Sequence, residues 1–156
     1  MTSVAIRIVT NMIRLADKWD IPKLTELFVD YYQEHFPQYT DVPMANVKTI
    51  MSLIAAGAGV AVIDEKDGQI RGAIIALVCP NIWDPTRLVL TEILFYVKPE
   101  YRGGTSGGRL IKKYTEVGDE WKDSGRVVHF TISHTAKLKL DYSRWNYNEA
   151  ETTWFQ

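Results

Sequence analysis

Val97-Lys98-Pro99-Glu100-Tyr101-Arg102-Gly103-Gly104-Thr105-Ser106-Gly107-Gly108-Arg109-Leu110-Ile111 is the stretch on which the fold turns. A β-rich run ends at Pro99, and four glycines fall within residues 103–108. An amphipathic helix follows, with Leu110, Ile111, Tyr114, Val117 and Trp121 spaced for one buried stripe. Glycines at such a junction let the backbone approach a ligand closely and turn N–H groups outward. The start of the helix adds about half a positive charge, which favours an anion such as phosphate. From Lys98 to Lys113 the charged side chains are Lys98, Arg102, Arg109, Lys112 and Lys113 against Glu100 alone, the most basic stretch of the chain. The plain alternative is an ordinary strand-to-helix turn with a solvated basic face.

The two common nucleotide signatures do not fit. A P-loop needs G-x-x-x-x-G-K-[ST], but here Gly108 is followed by Arg109-Leu110, without the lysine or the magnesium-binding hydroxyl. A dinucleotide fingerprint needs G-x-G-x-x-G in an opening βαβ unit, whereas this turn lies two-thirds of the way along the chain.

Before the turn, Met12 to Ala16 reads as a short strand. Asp20 is placed to cap a helix whose Pro22 suits the first turn. Leu24, Leu27, Phe28 and Tyr31 mark that helix's apolar face, and Pro37 stops it. Val47, Ile50, Met51 and Ile54 mark a second helix ending at Gly57 and Gly59. Val60 to Ile63 and Ile70 to Val78 are strands joined through Asp67-Gly68, a hairpin signal, with Gly72 hinting at a bulge or close packing. Leu88 to Val97 is a long strand. After the glycine turn and its helix come a strand over Arg126 to Ile132, a short helix over Lys137 to Tyr142 and a closing strand over Glu149 to Phe155. The order is β-α-α-β-β-β-α-β-α-β.

The chain of 156 residues is one domain's worth. Its 46% hydrophobic and 24% charged residues exclude a disordered or collagen-like chain. With 18 Lys and Arg against 19 Asp and Glu, the formal charge of −1 gives no global pull toward nucleic acid. A single cysteine, Cys79, excludes an internal disulfide and a C-x-x-C knuckle, and His35, His129 and His134 are too far apart for a helical zinc pair. The longest apolar stretches, such as Ala73 to Cys79, fall far short of the roughly 20 residues of a membrane span. The opening residues lack a secretory leader's apolar core and cleavage site. The expectation is one cytoplasmic domain over 1–156, with 1–11 as an extra edge strand or arm.

The turn resembles motif A of the GNAT superfamily of acyl-CoA-dependent N-acyltransferases. There a strand ending V-x-P-x-x-R-G leads into R/Q-x-x-G-x-G/A, whose backbone amides hold the pyrophosphate of CoA. This chain matches at Arg102 and Gly107 and departs at Thr105, where the family has glycine. The element order, from the Met12 strand to the closing strand, is similar to the family's. A second match is Tyr142-Ser143-Arg144-Trp145-Asn146-Tyr147, which resembles the family's Y-x-K-x-G-F phrase with Asn146 in place of glycine. Where the family frequently has an asparagine after the fifth strand, this chain has Ser133-His134-Thr135.

The resemblance implies an α/β (α+β) GNAT-like fold, with a mixed, mostly antiparallel sheet of six to seven strands and about four helices. It implies transfer of an acetyl group from acetyl-CoA, without a metal, directly to a primary amine of a small molecule or of a protein lysine or N-terminus. Arg102, Gly103, Gly104, Thr105, Ser106, Gly107 and Gly108 would cradle the pyrophosphate. A strand-end N–H at Tyr96 or Val97 would polarise the thioester carbonyl, and Tyr142 would protonate the departing thiolate. Glu92 is the candidate base, on the face of Leu94 and Tyr96 by the two-residue period, where apolar neighbours raise a carboxylate's pKa. His129 and His134 are alternatives, and no histidine stands near Cys79 to suggest an acyl-cysteine. The acceptor would be read by residues 36–44 and 79–87, with Asp41 and Asp84 as candidate contacts for its charge. The final Trp154-Phe155-Gln156 suits strand pairing across a homodimer.

Two other readings stay open at this level. One is a GNAT-like domain that binds CoA without catalysis. The other is a module whose five tryptophans and eight tyrosines bind nucleic acid or an acidic protein beside the basic turn, against which the near-neutral charge argues.

Overall fold

A computed structural model describes residues 11–134 and 140–150. Five strands are hydrogen-bonded in sequence order: β1 (Asn11–Leu15), β2 (Gly59–Lys66), β3 (Gln69–Pro80), β4 (Leu88–Val97) and β5 (His129–Thr131). The first four pair antiparallel, and β5 lies parallel to β4. Three α-helices accompany them: α1 (Ile21–His35), α2 (Met44–Ala55) and α3 (Ser106–Asp123). The mixed, mostly antiparallel architecture is as expected, and the element count is smaller. Of the expected fourth helix, residues 137–139 lie outside the described residues and Leu140 to Tyr142 are not helical; of the expected closing strand, residues 151–155 lie outside and Glu149 and Ala150 form no strand; the arm before residue 11 also lies outside. Where it is described, the Tyr142 region is irregular. A single 3-10 turn over Ser143–Trp145 ends because Asn146 adopts φ +66°.

The helices cover the two faces of the sheet. Leu24, Leu27 and Phe28 of α1 and Val47, Met51 and Ile54 of α2 bury against Ile63, Ala73, Ile75, Leu94 and Tyr96 on one face. Leu110, Ile111, Tyr114 and Val117 of α3 bury against Val62, Ile74, Ala76 and Leu90 on the other. The three-four spacing of these residues is what drives each helix onto its face. The β2–β3 hairpin turns on Asp67 at φ 52° and Gly68 at φ 76°, the two left-handed positions that a two-residue turn demands. Gly72 is held without a side chain because a Cβ there would lie 2.8 Å from the Tyr96 carbonyl oxygen and 3.2 Å from Leu110.

Three local expectations change. Asp20 stands at the head of α1 but does not cap it. Its carboxylate takes two bonds from Arg14, of 2.7 and 2.8 Å, and one from the Asp17 N–H, because an arginine fork outcompetes a single helix amide. Second, β5 is only three residues long. On its N-terminal side the Arg126 and Val127 N–H groups turn back to the Trp121 carbonyl and close α3. Third, β4 carries a bulge. Ala76 of β3 faces Glu92 and Ile75 faces Leu94, so Ile93 is an extra residue. Paired residues share a face, so Glu92 sits with Ala76 and Leu90 on the α3 side, opposite Leu94 and Tyr96.

Candidate active site

Two features of β4 open a cleft. Pairing with β5 ends at Thr91 opposite Thr131, so among the described residues no strand covers this edge of the C-terminal half of β4. The Lys98 N–H bonds to Arg71 on β3, and strand alternation therefore turns the N–H and C=O groups of Phe95 and Val97 to that edge. The space beside it is about 880 Å³. It is lined by β4, by the glycine turn with the first turns of α3, and by Ser133, His134, Tyr142, Arg144 and Trp145. Tyr31 and His35 of α1 line it as well.

At the turn, Gly103 takes φ +83°, a conformation strained for any side chain, and re-aims the chain into α3. Thr105 stands just before the helix at φ −96° and ψ −6°, ordinary backbone for a threonine, so its departure from glycine does not distort the path. The first bond inside α3 runs from the Arg109 N–H to the Thr105 carbonyl. Helix geometry thus leaves the N–H groups of Thr105, Ser106, Gly107 and Gly108 without acceptors in the helix. The front is open: a Cβ at Gly104, Gly107 or Gly108 would meet nothing closer than 3.6 Å. Lys112, Arg109 and Arg144 line the same cleft. Outward amides, a helix start and cations form the donor set that a diphosphate takes.

Two residues of the turn are committed to other parts of the fold. Ser106 is buried and donates its hydroxyl to Asp64 at 2.5 Å. Asp64, fully buried on β2, also holds Arg71 at 3.0 Å and Arg109 at 3.3 Å, so one carboxylate ties the head of α3 to the sheet. Arg102 spends its guanidinium on Glu34 of α1, in two bonds of 2.7 and 2.8 Å, and its Nε on the Val97 carbonyl at 2.8 Å. That pairing leaves Arg102 to shape the turn. Of the two strand-end amides expected to face the reacting carbonyl, Val97's is on the open edge and Tyr96's is turned to β3.

Glu92, which also lines the cleft, is 8% exposed. Its Oε2 accepts from the Ser133 N–H at 3.0 Å and from the Ser133 hydroxyl at 2.6 Å. Burial pushes this carboxyl up to about 7, against the pull of the two Ser133 bonds. Tyr142 donates its hydroxyl to the Ser133 carbonyl at 2.8 Å. Its ring stacks on His134 and meets Tyr147 edge-on, both at 6.0 Å between centroids. Burial raises the Tyr142 hydroxyl above its ordinary range, so it stays protonated at neutral pH. A buried carboxyl raised toward neutrality and a neutral phenol, joined through one residue, therefore line the same cleft as the glycine turn.

The model of the acetyltransferase (GNAT) family matches residues 21–139. The chain belongs to the GNAT family. No curated protein matches it. Among solved structures, a predicted acetyltransferase of Clostridium acetobutylicum with acetyl-CoA is similar at 15% identity and a TM-score of 0.69, over 94% of this chain and 95% of that one. An aminoglycoside acetyltransferase from an uncultured soil sample, in complex with sisomicin, is similar at 13% identity and 0.66, over 94% and 95%. A ribosomal-protein-alanine N-acetyltransferase of Brucella melitensis is similar at 16% identity and 0.59, over 94% and 98%. These identities carry the fold alone.

In this GNAT chain most of the residues expected at the site gather at the cleft. Glu92, Tyr96, Val97, Arg102, Gly103, Gly104, Thr105, Gly107, Gly108 and Tyr142 all line it, while Ser106 lies behind. His134 lines it as the stacking partner of Tyr142, whereas His129 is exposed on β5 and Cys79 lies in β3, neither of them among the lining residues. Asp84 is spent in its own loop, on the Thr86 N–H and hydroxyl and on Arg87. Asp41 is exposed outside the cleft. Sequence reading named Ser133 only as standing where the family frequently has an asparagine, and it missed Glu34 and Asp64. Of these two, only Asp64 carried a signal, an acid within an otherwise apolar buried strand. Among the described residues no group of three His, Cys, Asp or Glu is placed to hold a metal, and no helix is long and apolar enough to cross a membrane.

Proposed function

We propose that this GNAT chain moves an acetyl group from acetyl-CoA directly to a primary amine of a small molecule or a protein. The observation that carries the reading is the joining of Glu92 and Tyr142 through Ser133, in a cleft that the glycine turn also lines. The neighbours support it. The Clostridium acetobutylicum protein was solved with acetyl-CoA, and the names of the other two describe acetylation of an aminoglycoside and of a protein alanine.

In this reading the amides of Thr105 to Gly108 and the start of α3 hold the pyrophosphate. The cleft edge of β4 pairs with the pantetheine amides. The Val97 N–H donates to the thioester carbonyl oxygen as charge develops there. Glu92 takes the proton that the amine loses as its nitrogen bonds to the carbonyl carbon. Tyr142 gives its proton to the sulfur as the carbon–sulfur bond breaks. The products are an amide and a thiol, and solvent returns the Glu92 proton to Tyr142.

The test is thiol release from acetyl-CoA with a panel of amines: polyamines, aminoglycosides, arylalkylamines and lysine-containing peptides. Amine-dependent release that Glu92→Gln abolishes is the expected result. A panel that yields no release above the rate without amine argues for a non-catalytic domain.

A further inference from the structure

Ser133 touches both titrating groups of the candidate site. Pairing of β5 with β4 stops at Thr131, so the Ser133 N–H has no strand carbonyl to meet. The carboxylate of Glu92, itself buried, needs donors, and it takes the place of the missing strand acceptor for that N–H. The Ser133 hydroxyl converges on the same oxygen, Oε2, while the Ser133 carbonyl accepts from Tyr142. Three polar groups of one residue are therefore committed to two side chains that lie 50 positions apart in the chain (92 and 142).

We propose that Ser133 is a positioning residue that locks Glu92 and Tyr142 into one hydrogen-bonded unit, holding base and acid in a fixed relation across the cleft; its catalytic consequence rests on the acetyl-transfer reading above. A glutamate side chain has three rotatable bonds. Two donors on one oxygen fix its carboxylate plane, and Oε1 receives no hydrogen bond among the described residues. That oxygen is the one left for the amine. The Tyr142 ring is held by His134 and Tyr147, so the bond to the Ser133 carbonyl sets the last freedom it has, the direction of its O–H.

The hydroxyl also sets where Glu92 titrates, because donors to a carboxylate favour its charged form. The other titratable groups facing Glu92 are the hydroxyls of Tyr31 on α1, Tyr114 on α3 and Tyr142, with the imidazoles of His35 and His134 lining the same cleft. Ser133→Ala removes the 2.6 Å bond and keeps both backbone bonds, which isolates the hydroxyl's part.

The experiment is a pH titration of the full chain carrying glutamate labelled with carbon-13 at the side-chain carboxyl, read by NMR, with Glu92→Gln identifying the resonance. The Ser133→Ala midpoint should rise by about one unit, and Ser133→Thr should restore it. A midpoint in Ser133→Ala that stays put or falls overturns the proposal, whether or not any amine is acetylated. Should the alanine variant fail to fold, Ser133→Cys, a much weaker donor of similar size, is read in the same way. With an amine from the panel, the acid limb of kcat/KM for Ser133→Ala should move upward with the NMR midpoint, and an equal loss at every pH would contradict the coupling. An intact NMR shift with no thiol release from any amine leaves the Ser133 lock standing and removes acetyl transfer.

Discussion

Arg102 and Glu34, 68 residues apart, meet in a two-bond ion pair of 2.7 and 2.8 Å that joins the glycine turn to α1. Arg102 beside it holds the Glu34 carboxyl down to about 2. Because that value is depressed, the pair stabilises the fold above the ordinary carboxylate pKa and loses its effect as pH falls toward 2. Both side chains are about a third exposed, so water screens much of the attraction and about 1 kcal/mol is the expected scale. Glu34→Gln should lower Tm by roughly 2–4 °C at pH 7. That gap should narrow between about pH 4.5 and 2, as thermal melts across this range would record.

Glu92 has the opposite sign. Its raised pKa means that the folded chain pays to bury the charge above about pH 7, a cost that fades as pH falls toward 4.5. Glu92→Gln should therefore melt higher than the parent at pH 8 and indistinguishably at pH 4. In catalysis the same variant should lose about 10²- to 10⁴-fold in kcat, and the parent's kcat/KM should fall below pH 7. A glutamine variant that melts lower at pH 8 would show that the carboxylate is better solvated than its burial indicates.

Tyr142→Phe removes one hydroxyl and keeps the ring. Its structural cost is the unpaired Ser133 carbonyl, about 1 kcal/mol. As the proton donor, its loss should reduce kcat by about 10²-fold or more while KM for acetyl-CoA changes little. Steady-state kinetics separate the two constants. An unchanged kcat would leave Tyr142 as a wall of the cleft.

Gly118 lies on α3 against the Phe130 ring, and a Cβ there would lie 2.5 Å from two of its atoms. Phe130 stands edge-on between Tyr114 and Tyr147, so it has little room to swing away. Gly118→Ala should cost about 1–3 kcal/mol despite alanine's better helix propensity. Gly104→Ala, with no atom nearer than 3.9 Å, should melt close to the parent. A pair of denaturant titrations compares them.

Much of this was legible in the residues. Helix faces follow from apolar spacing, the β2–β3 turn from Asp67-Gly68, and the turn into α3 from glycines at a strand-to-helix junction, because each is decided by neighbours in sequence. What escaped depends on distant partners. The Ile93 bulge flips Glu92 to the other face, and no two-residue count reveals an extra residue. Asp20 has the right position for a cap, yet Arg14 from β1 takes its carboxylate. Arg102 fits a phosphate motif, but Glu34 of α1 occupies its guanidinium. Ser133 is marked in the sequence only as standing where the family frequently has an asparagine, and its bonds to Glu92 arise only where two parallel strands part.

Acetyl-CoA binding at the glycine turn and the edge of β4 is read out by melting the protein with acetyl-CoA and, as controls, with free adenosine phosphates. Ligand at about 100 times Kd adds about 2.7 kcal/mol, which moves the melt of a chain this size by roughly 5–10 °C. A rise of that order with acetyl-CoA, larger than with the adenosine phosphates, is the predicted result. A melt that does not move at millimolar acetyl-CoA would contradict it.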